Sequence, residues 1–407
     1  MGAAMTDRTE TVVVGGGQAG LAASRELTQA GVPHVVLERG RVGQTWRGRW
    51  DSFCLVTPNW SVQLPGHHYD GDDPDGFMPR DEIVAYLERY AASFDAPVRE
   101  GVDVTALRRS GDRLLVETAE GEIEARNVIL STGAYQRPHR PPGAASLPHD
   151  LLQIDVEAYS NPDALPAGAV LVVGSGQSGC QIAEELQLAG RDVFLACGRA
   201  GWAPRRFNDH DLAWWLWAAG SLDDRVEELP EPTARLWGNV QASGHDGGHD
   251  LHYRTLHAMG VTLLGHFLGA DGHDALFATD LDASIAWGDQ RHAKIVGDFR
   301  KHALEAGLPW TDLEAPEPVD AEALERVSLR ELGAVVFAGG FRPDYESWVD
   351  CPGAFDEYGF PIHRDGASTV VPGLYFVGVH FLRKRKSSLL IGVGEDAAIV
   401  AQQIADG

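Results

Sequence analysis

Residues 12–38 read VVVGGGQAGLAASRELTQAGVPHVVLE, and residues 171–197 read LVVGSGQSGCQIAEELQLAGRDVFLAC. The two stretches align without a gap at an offset of 159 residues, so the chain contains an internal repeat. Each copy predicts a β-branched strand, a G-x-G-x-x-G turn, an amphipathic helix that ends at a glycine, and a second strand. The repeat therefore predicts an α/β protein with two Rossmann-like domains, each built around a parallel sheet.

The glycine spacing in both copies is that of a dinucleotide-binding turn. The first glycine allows the tight turn, the second lets the backbone approach a pyrophosphate, and the third lets the helix pack closely on the strand. The N-terminus of the helix then offers unpaired N–H groups and the positive end of its dipole to the phosphates. One such motif is weak evidence, because a tight strand–helix turn needs no ligand, but two copies in the same context predict two dinucleotide sites.

The two copies differ at the end of the second strand, where the ribose is recognised. Glu38 ends the first copy, and a carboxylate there accepts hydrogen bonds from the ribose hydroxyls of an adenosine cofactor. The aligned residue of the second copy is Cys197, and Arg199, Arg205 and Arg206 follow it. Guanidinium groups without the acid favour a ribose 2′-phosphate and hence NADP; the alternative is that these arginines pair with surface acids. The simplest assignment is therefore FAD at the first predicted site and NADPH at the second.

Composition excludes several classes of protein. The formal net charge of −25 disfavours nucleic acid and anionic membranes as partners. No apolar run reaches the roughly 18 residues of a membrane span, and no secretion signal is evident, so a soluble, cytoplasmic protein is expected. The four cysteines form no C-x-x-C pair, which argues against a disulfide scaffold or a dithiol redox centre of that kind. A myristoylation-like pattern at Gly2 and Thr6 is interpreted as a chance match.

Beyond the glycine motifs, the chain resembles the class B flavin-containing monooxygenases over most of its length. This FAD- and NADPH-dependent flavoprotein family includes the plant auxin-synthesis-type enzymes and small bacterial members. The resemblance implies that the NADPH domain is inserted into the FAD domain. It rests on the segments GQTW at 43–46, LVTP at 55–58, STG at 131–133, FRP at 341–343, GLYFVG at 373–378 and SLLIG at 388–392.

This arrangement predicts the domain boundaries. The FAD-binding domain is expected to comprise residues 1–140 and 342–407, and the NADPH-binding domain residues 163–341. Within the latter, residues 207–320 are rich in tryptophan and histidine and exceed what a Rossmann unit needs. The paired tryptophans of this insert are expected to pack a helix, with a substrate lid or a homodimer contact as alternatives. Further elements are predicted as a helix at Arg80–Phe94, a hairpin around Val102–Glu124 and a closing helix at Gly394–Ile404.

Two other features of the sequence have competing interpretations. Four insert histidines (His245, His249, His252 and His257) lack the spacing of a common metal site, so no metal is predicted. The basic run at residues 383–386 (RKRK) either creates a local positive field near the flavin or forms a surface loop that pairs with acids.

The resemblance implies an NADPH-dependent flavoprotein monooxygenase that inserts one oxygen atom from O2 into a small organic substrate through a flavin C4a-(hydro)peroxide. The family motif F-x-G-x-x-x-H-[ST]-x-x-Y aligns with residues 149–159, where only Tyr159 is retained and Asp155 replaces the histidine. Val56 also stands where many members have asparagine near the flavin. The alternatives are therefore an NADPH oxidase or flavin electron-transfer reductase that releases hydrogen peroxide, and a catalytically idle flavoprotein scaffold.

The candidate site residues follow from the motifs and the resemblance. Asn59 is the candidate polar group near the flavin, and its alternative role is that of a turn residue after Pro58. The predicted cofactor-binding residues are Gly15, Gly17, Gln18, Ala19, Gly20, Glu38, Arg39, Gln44, Thr45, Trp46, Val104, Thr132, Gly133, Gly174, Gly176, Gln177, Ser178, Arg199, Arg205, Arg206, Gly378, Leu389 and Leu390.

Overall fold

A computed structural model of the chain describes residues 7–322 and 324–407. The myristoylation-like pattern at Gly2 and Thr6 lies outside the described residues. The structure contains two large sheets, and the first one carries the first glycine motif. Its strands are Asp7–Val14, His34–Glu38, Val98–Glu100, Val104–Ser110, Arg113–Thr118, Gly121–Leu130, Val349–Asp350, His363–Arg364, Ala367–Ser368 and Leu374–Phe376.

The centre of the first sheet is parallel, as the β-branched first strand predicts. Asp7–Val14 lies between His34–Glu38 and Gly121–Leu130, and it pairs in parallel with both. Its last residues, Val12 to Val14, are buried because helices cover one face of the sheet and a hairpin layer covers the other. The parallel centre places the carboxyl ends of these strands at one edge, next to the first glycine turn.

The second sheet is entirely parallel and carries the second glycine motif. Its strands lie in the order Leu152–Asp155, Leu332–Phe337, Ala169–Val173, Val193–Ala196 and Thr262–Leu264. Because Leu152–Asp155 belongs to this sheet, the second unit begins upstream of the predicted start at residue 163. Thr262–Leu264 lies inside the predicted insert at 207–320, so part of that segment belongs to the Rossmann sheet itself.

The chain passes between the two sheets twice, and the two passages lie side by side. Arg137–Pro138 leads out of the first sheet and pairs antiparallel with Phe341–Arg342, which leads back. Leu374–Phe376 then returns to the first sheet beside Gly121–Leu130. The second unit is therefore inserted into the first, which confirms the predicted fold class of two Rossmann-like units.

Helices cover both sheets, and small strand pairs complete the structure. The first nucleotide helix is Gln18–Gln29, the second nucleotide helix is Gln177–Leu188, and the closing helix is Val393–Asp406. The other α-helices are Gln44–Arg47, Arg80–Ala92, Leu212–Ala218, Tyr253–Ala258 and the long helix Leu281–Ala306. The remaining strands are Gln63–Leu64 with His67–His68, Arg206–Phe207 with His210–Asp211, and Phe267–Asp271, Asp274–Phe277 and Arg326–Ser328 in one sheet. Short 3-10 turns span Asn59–Ser61, Pro142–Ser146, Val156–Ala158, Pro162–Ala164, Ser221–Asp223, Val226–Glu228, Pro232–Leu236, His245–Gly247 and Arg385–Ser388.

The paired tryptophans of the insert do not act alike. Trp215 is fully buried and stacks on Phe207 and Phe299, so it packs the helix Leu212–Ala218 onto the long helix. Trp214 stacks on His210 at a centroid distance of 3.6 Å. Helix packing, one of the roles considered for this pair, is therefore what the structure shows for Trp215.

Among residues 7–322 and 324–407, no helix combines the length and the apolar character needed to cross a bilayer.

Candidate functional site

The first glycine turn has the shape of a phosphate-binding loop. Gly15 has φ +109°, and a Cβ there would lie 2.7 Å from the carbonyl oxygen of Ser131. A Cβ on Gly20 would lie 1.8 Å from the carbonyl oxygen of Gly15, so the helix packs as close to the strand as a glycine permits. A Cβ on Gly17 would meet no atom of the described residues within 4 Å, so their packing does not require this glycine. Open space at the second motif glycine fits a bound pyrophosphate.

Glu38 is positioned beside this turn by its own hydrogen bonds. Its carboxylate is buried and accepts from the amide of Gly16 at 2.6 Å and from the amide of Gly40 at 2.9 Å. These two donors hold the side chain at the end of its strand and leave lone pairs for further donors. The arrangement fits the ribose hydroxyls of an adenosine cofactor.

A chain of side-chain hydrogen bonds joins three predicted segments of the FAD site. Trp46 Nε1 donates to Gln18 Oε1 at 2.7 Å, and Gln18 Nε2 donates to the carbonyl oxygen of Ser388 at 3.0 Å. A Cβ on Gly378 would lie 2.4 Å from Ala19 Cβ, so the tail of the chain packs directly on the first nucleotide helix. Segments far apart in sequence are thus in contact here, and their role as one FAD site stays a prediction.

The second glycine turn repeats the geometry of the first. Gly174 has φ +111°, and a Cβ there would lie 2.5 Å from the carbonyl oxygen of Ala338. A Cβ on Gly179 would lie 1.9 Å from the carbonyl oxygen of Gly174, whereas one on Gly176 would meet none of the atoms in residues 7–322 and 324–407 within 4 Å. The structure therefore offers a second open cradle of the same kind, which fits a second dinucleotide.

The insert supplies polar partners to this second turn. Gln177 Oε1 accepts from the amide of Ala242 at 3.1 Å, and Gln241 Nε2 donates to the carbonyl oxygen of Ser175 at 2.5 Å. Ser175 Oγ also accepts from the amide of Gly198 at 2.9 Å and lies 2.7 Å from Tyr253 Oη. The sequence does not predict these contacts of Gln241, Ala242 and Tyr253, because nothing in the local pattern links them to residues some 70 positions earlier.

The three arginines predicted to read a 2′-phosphate occupy different environments. Arg199 is exposed beside the end of Val193–Ala196, and no described residue forms an ion pair with it. Arg206 is exposed and donates to the carbonyl oxygens of Gly247 and Gly248. Of the three, Arg199 has the position and the unused donors that fit an anionic ligand.

Arg205 is buried in a different role, and its geometry does not favour the predicted phosphate contact. Its guanidinium forms a bidentate pair with Asp211 at 2.8 and 3.1 Å and donates to the carbonyl oxygen of Val56 at 2.6 Å. It also stacks over the ring of Phe77 at 4.3 Å. Burial lowers the pKa of Arg205 and the Asp211 carboxylate opposes that shift. Arg205 therefore ties the second unit to the first.

Replacing Arg205 by alanine is expected to lower the free energy of unfolding by about 3–5 kcal/mol, because Asp211 is left as a nearly buried charge without its partner. The matched control is Arg206→Ala, which removes an exposed arginine next in sequence and should change stability by no more than about 0.5 kcal/mol. Urea unfolding followed by tryptophan fluorescence measures both. Equal, small losses would contradict the structural role of Arg205.

The side chain of Asn59 has a structural role in the protein. Its Nδ2 donates to the carbonyl oxygen of Asp73 at 2.9 Å, and its Oδ1 accepts from the amide of Met78 at 2.8 Å. Both ends of the amide are therefore used to fix the loop at 73–78, and the side chain is buried. This geometry does not favour the predicted role of a polar group acting on the flavin, and it matches the alternative of a turn residue.

Three further predicted contacts, at residues 132, 133 and 390, lie in loops. Thr132 Oγ1 accepts from Gln136 Nε2 at 3.0 Å, and Gly133 has φ +85° in the loop after Gly121–Leu130. Leu390 is buried beside the closing helix. The other members of this set are Arg39, Gln44, Thr45, Val104, Ser178 and Leu389, whose ligand contacts stay predictions.

The basic run at residues 383–386 is paired with acids. Arg383 Nη1 lies 2.9 Å from Asp396, and Lys386 Nζ lies 2.5 Å from Glu395. Both acids lie in the first turn of the closing helix. The structure thus shows acid-paired side chains, one of the two interpretations considered for this run.

His380 lies next to the predicted flavin contacts without having been predicted itself. It follows Gly378 by two residues, and its Nδ1 lies 3.5 Å from Ser388 Oγ. Burial and the neighbouring Arg385 and Arg235 lower the pKa of His380 to about 4, so the imidazole is neutral at pH 7. No periodic or motif signal in the sequence marks this position.

Comparison with known proteins gives consistent results. A family model described as pyridine nucleotide-disulphide oxidoreductase matches residues 12–229, more than half of the chain. An uncharacterized CzcO-like oxidoreductase of Geobacillus kaustophilus is 31% identical over 97% of this chain and 98% of its own length. The rice indole-3-pyruvate monooxygenase YUCCA4 is 30% identical over 98% of this chain and 88% of its own length.

Solved structures agree with the fold. A flavin-containing monooxygenase from Stenotrophomonas maltophilia superposes with a TM-score of 0.68 at 20% identity, covering 98% of this chain and 99% of that one. A Kutzneria ornithine N-hydroxylase, solved with reduced FAD, NADP+ and ornithine, gives a TM-score of 0.65 at 18% identity over 98% and 99% of the two chains. Both likenesses concern the fold.

Proposed function

This chain belongs to the pyridine nucleotide-disulphide oxidoreductase family, and from that premise we propose that it is an NADPH-dependent monooxygenase acting on a small organic substrate. It is a flavoprotein oxidoreductase of the flavin-monooxygenase kind, with FAD and NADP(H) as its cofactors. The observation that carries the proposal is the pair of open glycine cradles, at Gly17 and Gly176, in two units of one chain. Insertion of oxygen is supported by the relatives named as monooxygenases, including YUCCA4 and human flavin-containing monooxygenase 5.

The residues of the chain bind and orient the two dinucleotides. When bound, NADPH supplies a hydride and FAD accepts it and passes electrons to O2. Amides at the N-termini of the two nucleotide helices would hold the pyrophosphates, and Glu38 would accept hydrogen bonds from the ribose of the first dinucleotide. Lys386 pairs with Glu395, and Arg383 pairs with Asp396. Because each acid is neutralised by its base, the two acids do not cancel the positive end of the closing-helix dipole.

The cysteines do not support a dithiol reductase. Cys54, Cys180, Cys197 and Cys351 are all free and buried. Burial raises the pKa of the Cys54 thiol to about 11 and raises that of the other three, so all four are neutral thiols at pH 7. A neutral, buried thiol is a poor nucleophile for disulfide exchange.

Oxygen insertion is tested by measuring how much of the NADPH consumption is coupled to formation of oxygenated product. The purified holoenzyme is supplied with NADPH and O2, and hydrogen peroxide and oxygenated product are counted against NADPH consumed, with panels of amines, sulfides and ketones. The proposal expects at least one compound to replace peroxide by product. Stoichiometric peroxide with every compound would favour the alternative, an NADPH oxidase or electron-transfer reductase. The ground for that alternative is the departure from the family motif: Asp155 replaces the histidine, and it is held by Arg140 in a bidentate pair at 2.7 and 2.9 Å.

Arg199→Ala is expected to raise the KM for NADPH by roughly 10- to 100-fold and to leave that for NADH nearly unchanged. The physical reason is the loss of a charge-assisted hydrogen bond worth about 1.5–3 kcal/mol to the 2′-phosphate, which NADH lacks. Steady-state rates with both coenzymes measure the effect, and Arg330→Ala, which removes an exposed arginine on the far loop before Leu332–Phe337, is the control. An equal increase in the KM for NADPH and for NADH would contradict the assignment of Arg199 to the 2′-phosphate.

A further inference from the structure

The loop that carries Arg199 is fastened directly to the second glycine turn. The amide of Gly198 donates to Ser175 Oγ at 2.9 Å, and Ser175 lies within that turn. The amide of Gly174, which opens the turn, donates to the carbonyl oxygen of Ala196 at 3.1 Å. Because these hydrogen bonds fix the start of the loop, the backbone of Arg199 is held beside the open cradle of the second turn.

His266 reaches the same loop from the neighbouring strand. It lies two residues after Thr262–Leu264, which pairs in parallel with Val193–Ala196, so the two strands end at the same edge of the sheet. A Cβ on Gly198 would lie 3.3 Å from His266 Nε2, so this ring nitrogen faces the residue just before Arg199. The side chain of His266 is 51% exposed. The ring is therefore accessible to a ligand that Arg199 contacts.

Asp280 holds the ring and determines which of its nitrogens is free. Its Oδ2 lies 2.7 Å from His266 Nδ1, and its Oδ1 accepts from the amide of His266 at 2.9 Å. Burial raises the pKa of Asp280, but the hydrogen bonds from His266 outweigh burial and lower it overall, so the carboxylate is ionised at pH 7. An ionised carboxylate can only accept, so Nδ1 carries a proton and Nε2 is the nitrogen left on the other side of the ring.

The imidazole is not needed to hold its own loop. The amide of Ala278 donates to the carbonyl oxygen of His266 at 2.9 Å, and the amide of His266 is already bound to Asp280. The backbone therefore fixes His266 on both sides. Among residues 7–322 and 324–407, Nε2 itself forms no hydrogen bond. It is a free ring nitrogen that is held toward Gly198 and donates when it is protonated.

We propose that His266 is a second recognition group for the 2′-phosphate of NADPH and acts together with Arg199. Arg199 supplies a permanent positive charge, and the protonated Nε2 of His266 donates to another oxygen of the same phosphate. The phosphate itself favours that proton, because an anion stabilises an imidazolium. The imidazolium balances the charge of Asp280, so this acid does not repel the phosphate as an unpaired carboxylate would. The inference deepens the proposed function and rests on its assignment of the second turn to NADPH.

The test compares two probes that differ only by the 2′-phosphate, adenosine 2′,5′-bisphosphate and adenosine 5′-monophosphate, by calorimetry on the FAD-loaded protein. Wild type is expected to bind the bisphosphate at least ~10-fold more tightly. His266→Ala should weaken the bisphosphate by roughly 5- to 20-fold and change the monophosphate by less than about 2-fold, because the monophosphate lacks the acceptor. The control is His273→Ala, which removes an exposed histidine from a hairpin turn of the same unit and should change neither affinity.

A double variant tests whether the two residues hold the same phosphate. Groups that contact one ligand group are energetically coupled, so the loss of bisphosphate affinity in Arg199→Ala, His266→Ala should differ from the product of the two single losses by at least about 2-fold. A loss equal to that product would overturn the shared contact. Bound FAD and circular dichroism verify that each variant is folded.

Each other result also overturns the inference. If His266→Ala weakens both probes equally, the ring contacts the adenosine or shapes the loop and does not select the phosphate. If it weakens neither, while Arg199→Ala weakens the bisphosphate, Arg199 reads the phosphate without His266. If wild type binds both probes equally, the second turn has no 2′-phosphate site and its assignment to NADPH is wrong as well. Binding is measured without turnover, so a failure to insert oxygen is a separate result.

Discussion

Gly17→Ala is expected to give a folded protein that no longer retains FAD and is therefore colourless. The backbone at Gly17 has φ −83°, which alanine adopts without strain, and within the described part of the chain its added Cβ would meet no atom within 4 Å. The methyl group would therefore displace a ligand that approaches the backbone at this point, as a pyrophosphate does in this motif. We expect FAD content to fall by at least ~10-fold while the thermal midpoint of the FAD-free protein is preserved.

Two other glycines provide the comparison for this variant. Gly297→Ala adds a Cβ into equally open space on the exposed side of the long helix and should leave the FAD content unchanged. Gly20→Ala places a Cβ 1.8 Å from a backbone carbonyl oxygen, so it should destabilise the fold as well as the site. Full FAD content in Gly17→Ala would show that the first cradle does not hold the flavin dinucleotide.

Gly176→Ala is expected to separate the second site from the first. Its backbone, at φ −72°, also accepts alanine, and a Cβ there likewise meets no described atom within 4 Å. The variant should keep its FAD and its stability, but the rate of flavin reduction at low NADPH should fall by at least ~10-fold, because the pyrophosphate of NADPH is pushed from the turn.

The measurement for Gly176→Ala is stopped-flow reduction of the flavin over a range of NADPH concentrations. Gly297→Ala again serves as the control, with wild-type kinetics expected. A variant that loses FAD together with NADPH would mean that the two sites are not independent. Unchanged NADPH dependence would mean that the coenzyme binds elsewhere.

The local sequence pattern is sufficient to predict those elements of the fold that are determined by residues close together in the chain. The helix predicted at Arg80–Phe94 spans Arg80–Ala92, and the closing helix predicted at Gly394–Ile404 spans Val393–Asp406. Both are amphipathic and long enough for the 3.6-residue period to be read. The two glycine turns were predictable for a similar reason, since their spacing is set by sterics within a few residues.

Contacts between distant segments were not predictable in the same way. Arg205 looked like a phosphate ligand by its position after Cys197, but its partners include the carbonyl oxygen of Val56, 149 residues earlier. Asn59 is fixed by Asp73 and Met78, a pairing that depends on the path of a loop. The strand Thr262–Leu264 is only three residues long, too short for any periodicity to appear.

The most direct test of the account is an anaerobic titration of the purified, FAD-containing protein with NADPH. If one chain places a flavin and a nicotinamide in the same cleft, the flavin absorbance should bleach in proportion to added NADPH and be complete at about one NADPH per FAD. A protein that binds no FAD even after reconstitution, or whose bound flavin stays oxidised in excess NADPH, would contradict the account.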